Sequence, residues 1–305
     1  MKHAKQTRAP WILLACLAAI ALCIVAAVTL LQTNTNPKNI EIPGTRGNIP
    51  ATIQLPAKSA RGEELPLVVL CHGFTGNRQG DGHFAPLAED LAAHGIATVR
   101  LDFAGCGDST EPYYTLANMA ADVDSVIGYM QATYGTGKTA LVGHSMGGRL
   151  ASLYPQLGQY PVTALALWSP ANGTGLQGLE FLSIDNFAAV EELAARADAE
   201  GSVAAWGVEL SAAYIDGMRD SDPNAALQES GLPVLLTYSG NERILSDTTQ
   251  TETKAAVESL PDGQVVLNPF VNGDHNYTSE DPATNTQLDA DLRQVTVDFL
   301  TSHLQ

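Results

Sequence analysis

Short apolar runs of strand length, without strict polar alternation and each followed by a stretch with helical spacing, constrain this chain most. "LPLVVLCH" (residues 65–72) is such a run, as are "IATVRLDF" (96–103), "KTALVGHS" (138–145), "VTALALWSP" (162–170) and "LPVLLTYS" (232–239). Between them lie "FAPLAEDLAAHG", stopped by Gly95, a long helical stretch over Leu116–Tyr134 closed by Gly135, and "MGGRLASLY". Apolar strands separated by amphipathic helices need cover on both faces. That predicts an α/β fold, a mostly parallel sheet with helices on both sides. An earlier strand is expected in "IPATIQLPA" (49–57) and a last one in "GQVVLNPF" (263–270). Helices are expected over "TQTETKAAVESL" (249–260) and over residues 289–304.

Residues 171–231 interrupt this rhythm. They hold glycines, two stretches that read as helices, "FAAVEELAARADAE" and "SVAAWGVELSAAYIDGM", and no core strand. Inserted between two sheet strands, the segment reads as a helical cap over the carboxyl edge of the sheet.

The N-terminus is a separate physical object. Lys2, Lys5 and Arg8 precede an apolar run at residues 11–31, in which Thr29 is the one polar residue. A helix of that length spans roughly 30 Å, the thickness of a bilayer core. A cleaved signal carries a shorter apolar region, about 7–15 residues, and a clear small-residue cleavage site. An uncleaved single-span anchor is therefore expected, with a secreted, signal-cleaved protein as the alternative. The basic flank stays cytoplasmic and the rest of the chain lies outside. Residues 1–39 are then stub, anchor and linker, and residues 40–305 the functional domain. The net charge of −17 disfavours nucleic acid, since it leaves no basic surface to neutralise phosphates.

Gly143-His144-Ser145-Met146-Gly147 fits G-x-S-x-G, with an apolar strand before it and a helical pattern after it. A serine on such a turn takes a strained backbone so that its hydroxyl projects above the sheet, and the flanking glycines leave room for the bend. The ordinary alternative is a small-residue turn with an incidental serine. Ser145 is the expected nucleophile. It needs a base and an acid to orient the base. His3 precedes the apolar run, His144 is inside the turn and His303 ends the last helix. His72 is expected to pack beneath the site, and His83 and His94 to flank a surface helix. His275, in the loop "VNGDHNY" after the last apolar strand, follows the serine in chain order as the base should.

The acid should follow "PVLLTYS" and precede His275. Glu242 in "SGNERILS" is the candidate; Asp247, placed like the N-cap of the next helix, is the reserve. The backbone N–H of Met146 and of Phe74, the latter in the turn after "VVLCHGF", are the expected oxyanion donors. Cys16 and Cys23 lie in the apolar run. Cys71 and Cys106 could pair outside the cytoplasm, but the reading adopted is two buried free thiols. No metal-ligand cluster or phosphate-binding glycine loop appears, so no cofactor is expected.

Taken together, "LVVLCHGFTGNRQGDGHFAPLAEDLAAHGIATVRLDFAGCGDS", "LVGHSMGG" and "GDHNY" resemble the α/β-hydrolase superfamily, and within it bacterial cinnamoyl (feruloyl) esterase-like serine hydrolases. The resemblance covers residues 40–305. It implies Ser145 as nucleophile, His275 as base, Phe74 and Met146 as oxyanion donors, and a small-molecule or polysaccharide-linked ester as substrate. The family's acid sits in a pattern like PVLxxxGxxD. Here "PVLLTYSGNE" aligns without a gap, with Ser239 for the glycine and Glu242 for the aspartate. The membrane anchor is not a usual part of the pattern. The resemblance implies a carboxylic-ester hydrolase. A peptidase or acyl-peptide hydrolase on the same fold, and a silent membrane-tethered binding module, are the alternatives.

Overall fold

The central strands are apolar throughout because both of their faces are core. In β3 (Leu65–Cys71), Leu67, Val69 and Cys71 join one apolar cluster, while Val68 and Leu70 join the other. In β6 (Ala164–Trp168), Leu165 and Leu167 face the first cluster and Ala164, Ala166 and Trp168 the second. Successive side chains of a strand point to opposite faces, so a sheet covered on both sides needs apolar residues at every position. The computed structural model describes residues 36–57, 64–111, 114–183 and 186–305. The expected membrane segment, residues 11–31, lies outside the described residues. Among the described residues, no helix is long and apolar enough to cross a membrane.

The remaining strands are β1 (Lys38–Pro43), β2 (Asn48–Gln54), β4 (Ala97–Leu101), β5 (Thr136–His144), β7 (Ser202–Ala205), β8 (Val208–Ser211), β9 (Val234–Thr237) and β10 (Gly263–Val266). With β3 and β6, six of these form one eight-stranded sheet in the order β1-β2-β4-β3-β5-β6-β9-β10, and β7 and β8 pair separately. The β1–β2 and β2–β4 pairs are antiparallel; from β4 to β10 every pair is parallel. Helices α1 (Phe84–Ala93) and α8 (Pro282–Leu304) cover one face, while α2 (Leu116–Tyr134) and α3 (Met146–Leu157) cover the other. From β3 the chain passes to β4 on one side, then returns to β5 on the other. That reversal opens a crevice beyond the carboxyl ends of β3 and β5, where sheets of this kind bind ligands.

Several element boundaries differ from the sequence reading. The early strand is a hairpin, and its first strand begins at Lys38, inside the expected linker. Only Ile42 of that edge strand is buried, so it carries little apolar signal. The last strand stops at Val266 because Asn268–Phe270 turns into a short 3-10 helix, and Pro269 has no N–H for a ladder. Helix α8 starts seven residues earlier than expected, at Pro282, with Asp281 capping it through the Thr284 N–H at 2.8 Å.

Between β6 and β9 lie a 3-10 segment (Gly175–Leu182), α4 (Phe187–Glu200), the β7–β8 hairpin, α5 (Ala212–Arg219) and α6 (Pro223–Ser230). The second expected helix is thus mostly a hairpin. Its turn, Trp206-Gly207, has positive φ at both residues (50° and 77°), the twist that joins two antiparallel strands. Val203 and Leu210 face inward and Ala204 and Glu209 outward, which is period two rather than 3.6. Arg149, wholly buried on α3, ties this insertion down. Its guanidinium donates to the carbonyls of Ala171 (2.9 Å) and Gly173 (2.6 Å) and to the Ser221 hydroxyl (2.7 Å).

Candidate active site

Ser145 directly follows β5, with φ 54° and ψ −116°, a conformation that non-glycine residues adopt only when their surroundings impose it. The imposition is visible. The Ser145 N–H donates to the Trp168 carbonyl at 2.9 Å, and its carbonyl accepts from Arg149 and Ala171, both at 3.0 Å. Gly147 is required because a β-carbon there would run into the Cys71 carbonyl of β3, and one on Gly143 would strike the Gly147 backbone. The turn is drawn this tightly against the sheet, and α3 begins at the next residue. Its free N–H groups and the positive end of its dipole favour negative charge at the serine.

His275 Nδ1 lies 2.7 Å from Glu242 Oε2. The other carboxylate oxygen accepts from the N–H of Ile244 (2.8 Å) and of Leu245 (3.2 Å), and the Glu242 side chain is 2% exposed. A buried carboxylate held at both oxygens fixes the ring orientation. With Nδ1 donating to Glu242, Nε2 is the acceptor end of the imidazole. Asp247 is elsewhere: exposed, as the first residue of α7 (Asp247–Glu258). The N-cap is Ser246, which accepts from the Thr249 N–H at 3.2 Å, so the cap expected at Asp247 sits one residue earlier.

Ser145 and His275 line one cavity of about 450 Å³, together with Phe74, Phe181, Trp206 and Arg243. The turn after β3 is closed by the Gly76 N–H on the Gly73 carbonyl at 3.0 Å. A β-carbon on Gly73 would stand 3.2 Å from that of Ser145, so this turn runs directly beside the serine. Among the described residues, no protein acceptor engages the N–H of Phe74 or of Met146. From the inserted segment come Phe181 and the exposed Trp206, whose rings pack edge to face at 5.4 Å, and Phe181 also meets Phe74 at 5.1 Å.

The other histidines near the site are structural. His72, fully buried, bonds the Gly73 carbonyl through Nδ1 (2.8 Å) and accepts from the Phe103 N–H at Nε2 (3.2 Å). Burial lowers its pKa to about 4, so it packs neutral beneath the turn. His144 donates through Nε2 to the His275 carbonyl at 3.1 Å, and burial, aided by the neighbouring His275, lowers its pKa to about 3. His83 directly precedes α1, as expected, but it is buried rather than at the surface, between Asp289 and the His275 loop. Its partners are far along the chain, and no local pattern signals them. Cys71 and Cys106 are buried free thiols; burial pushes both up, Cys106 to about 12.

A strained serine between β5 and α3, with a carboxylate-held histidine from the loop beyond β10, on a sheet with this strand order, defines a class of protein. Residues 68–297 match the alpha/beta hydrolase family, and the chain belongs to it. Among solved structures, it is similar to Est1E from Butyrivibrio proteoclasticus with ferulic acid bound. There the TM-score is 0.66 at 19% identity, covering 85% of this chain and 98% of that one. It is also similar to the Pyrococcus furiosus esterase Pf2001, with TM-score 0.62, 14% identity, and 89% and 94% of the two chains covered. A third is the esterase domain of a Rhodothermus marinus protein, with TM-score 0.60, 16% identity, and 88% and 100% covered. At these identities the likeness is one of fold. No curated protein matches the sequence.

Proposed function

We propose that this α/β hydrolase is a serine esterase, cleaving carboxylic esters through an acyl-enzyme. The observation that carries the reading is the Glu242–His275 hydrogen bond, which holds His275 in the wall of the cavity that Ser145, on its strained turn, also lines. In this scheme His275 Nε2 takes the hydroxyl proton as Ser145 Oγ attacks the acyl carbon. The oxyanion that forms is held by the Phe74 and Met146 amides. Collapse breaks the ester C–O bond, and His275 passes the proton to the leaving alcohol. Water then repeats the sequence: His275 takes its proton, the hydroxide oxygen bonds the acyl carbon, and the acid departs as Ser145 recovers its proton.

The aromatic wall of Phe74, Phe181 and Trp206 supports an aromatic acyl group, of hydroxycinnamoyl type, as substrate. Ferulic acid bound in Est1E is consistent with that choice. The apolar residues 11–31 support a membrane tether that places the catalytic domain outside the cytoplasm. Turnover of methyl ferulate and p-nitrophenyl esters tests the activity. Cleavage of acyl-peptides without cleavage of either ester would overturn it.

A further inference from the structure

Three consecutive residues of the loop that presents His275 are each fastened from a different direction. The His275 carbonyl accepts from His144 Nε2 at 3.1 Å. The Asn276 carbonyl lies 2.9 Å from His83 Nε2. Tyr277, buried and held at a strained φ of 56°, places its hydroxyl 2.7 Å from Thr237 Oγ1 and 3.2 Å from Ser169 Oγ. Asp274 closes the loop on itself through the N–H groups of Asn276 (3.0 Å) and Thr278 (2.8 Å).

The fastening at Asn276 differs from the others in chemistry. The second ring nitrogen of His83, Nδ1, lies 2.7 Å from Asp289 Oδ1 on α8. Both partners of the ring, a backbone carbonyl and a carboxylate, accept hydrogen bonds and neither can donate one. A neutral imidazole has one N–H and one lone pair, so it would turn a lone pair toward an acceptor on one side. Only the imidazolium satisfies both contacts, and with the residue 6% exposed an unmet contact on either side is costly.

We propose that His83 is a positioning residue held as an imidazolium between Asp289 and the Asn276 carbonyl, so that its proton pins the loop carrying His275 and its loss frees that loop. The inference rests on the esterase reading for its link to turnover. The charged neighbours agree with it. Asp289 is itself bonded by Arg293 at 2.9 Å, and Arg293 reaches Asp90 on α1. Asp81, in the short 3-10 segment before His83, adds a second carboxylate nearby, and its Oδ2 lies 3.7 Å from His144 Nδ1. Trp168 of β6 covers the ring edge-on at 6.3 Å. His144 stays neutral and contributes no opposing charge near neutral pH. Burial, the largest influence on His83, works against its charge. The bonds to Asp289 and Asn276 and the two carboxylates outweigh it, so its proton is held above the usual histidine value. Among the loop's three fastenings, this is the one whose proton is held more tightly than in an ordinary histidine.

Three readouts on the full chain test this. In ¹⁵N-histidine-labelled protein at pH 7, the ring signals lost in His83→Gln are expected to show both nitrogens protonated; a lone-pair nitrogen would overturn the proposal. Amide exchange across residues 274–278 is expected to quicken at least fivefold in His83→Gln at fixed pH, and unchanged exchange would overturn it. In wild type kcat is expected to decline on the alkaline side, with KM within twofold. His83→Gln should start about tenfold lower and lack that decline, and Asp289→Asn should move it at least one pH unit lower. An alkaline limb identical in all three proteins would overturn the link to turnover. A wild type that neither labels at Ser145 with a fluorophosphonate nor cleaves esters would overturn the esterase reading instead, and the ring and exchange results would still decide the state of His83.

Discussion

The Nδ1 of His275 and Oε2 of Glu242 stand 2.7 Å apart across 33 residues of sequence, at the ends of loops leaving two neighbouring parallel strands. Glu242 thus holds the His275 ring, and Asp247 does not. Replacing Glu242 by alanine is expected to lower kcat by about 10²- to 10⁴-fold, the range for loss of an orienting carboxylate. Asp247→Ala should remain within about twofold, as befits an exposed first-turn residue. Steady-state kinetics on the two variants decides between them; loss of turnover in Asp247→Ala alone would reverse the assignment.

Trp206 reaches the cavity from the tip of the β7–β8 hairpin and is 56% exposed, an unusual position for a large apolar ring unless something packs on it. On the proposed reading that something is the aromatic acyl group. Trp206→Ala should raise KM for methyl ferulate by about 3- to 10-fold, the scale of one aromatic contact, and leave acetyl esters unaffected. Equal changes for both esters would remove the ring from substrate recognition.

Gly147 lies where α3 meets the carboxyl end of β3, and any side chain there must displace the Cys71 backbone. Gly147→Ala is expected to cost about 3 kcal/mol or more of stability, the upper range for overpacking. Gly95→Ala meets no atom within 4 Å and incurs only the strain of its φ of 82°, about 1 kcal/mol. Urea unfolding midpoints compare the two directly, and equal losses would contradict the close approach.

The buried histidines give stability a definite pH slope. Below the ordinary histidine value of about 6.5, the unfolded chain takes up protons that native His72 and His144 refuse until about 4 and 3. More protons bind the unfolded state in that window, so stability falls as pH falls from about 6.5 toward 4, by about 1.4 kcal/mol per ring for each pH unit. Asp122 acts the other way. Burial raises its carboxyl to about 6 despite Arg46 at 2.9 Å, so its contribution is present at low pH and lost as pH rises through that value. Two rings outweigh one carboxyl. Urea midpoints measured between about pH 4.5 and 6.5 should rise with pH, with a shallower rise in His72→Asn. His83, whose proton is held more tightly than usual, works above this window and loses its contribution as pH rises through its own titration.

What the sequence made legible was what is encoded locally. The turn at Ser145 is readable because strand, serine and helix are contiguous, and Glu242 and His275 because each follows an apolar strand. The β7–β8 hairpin was obscured by alanines. "SVAAWGVEL" suits either period, and only the turn at Trp206-Gly207 distinguishes them. The first turns of α8 are solvent-facing and carry no apolar stripe until Leu288, so the cap at Asp281-Pro282 stood without the periodicity that draws attention to a helix. His83 was illegible for a stronger reason: its acceptor Asp289 is 206 residues away, and nothing near either residue announces the pair.

That Ser145 is the nucleophile is tested most directly by peptide mass spectrometry after reaction with a fluorophosphonate. One adduct per chain is expected, on the peptide containing Ser145, absent in Ser145→Ala and formed at least about 100-fold more slowly in His275→Ala. Wild-type protein that stays unlabelled, or is labelled on a different residue, would contradict it.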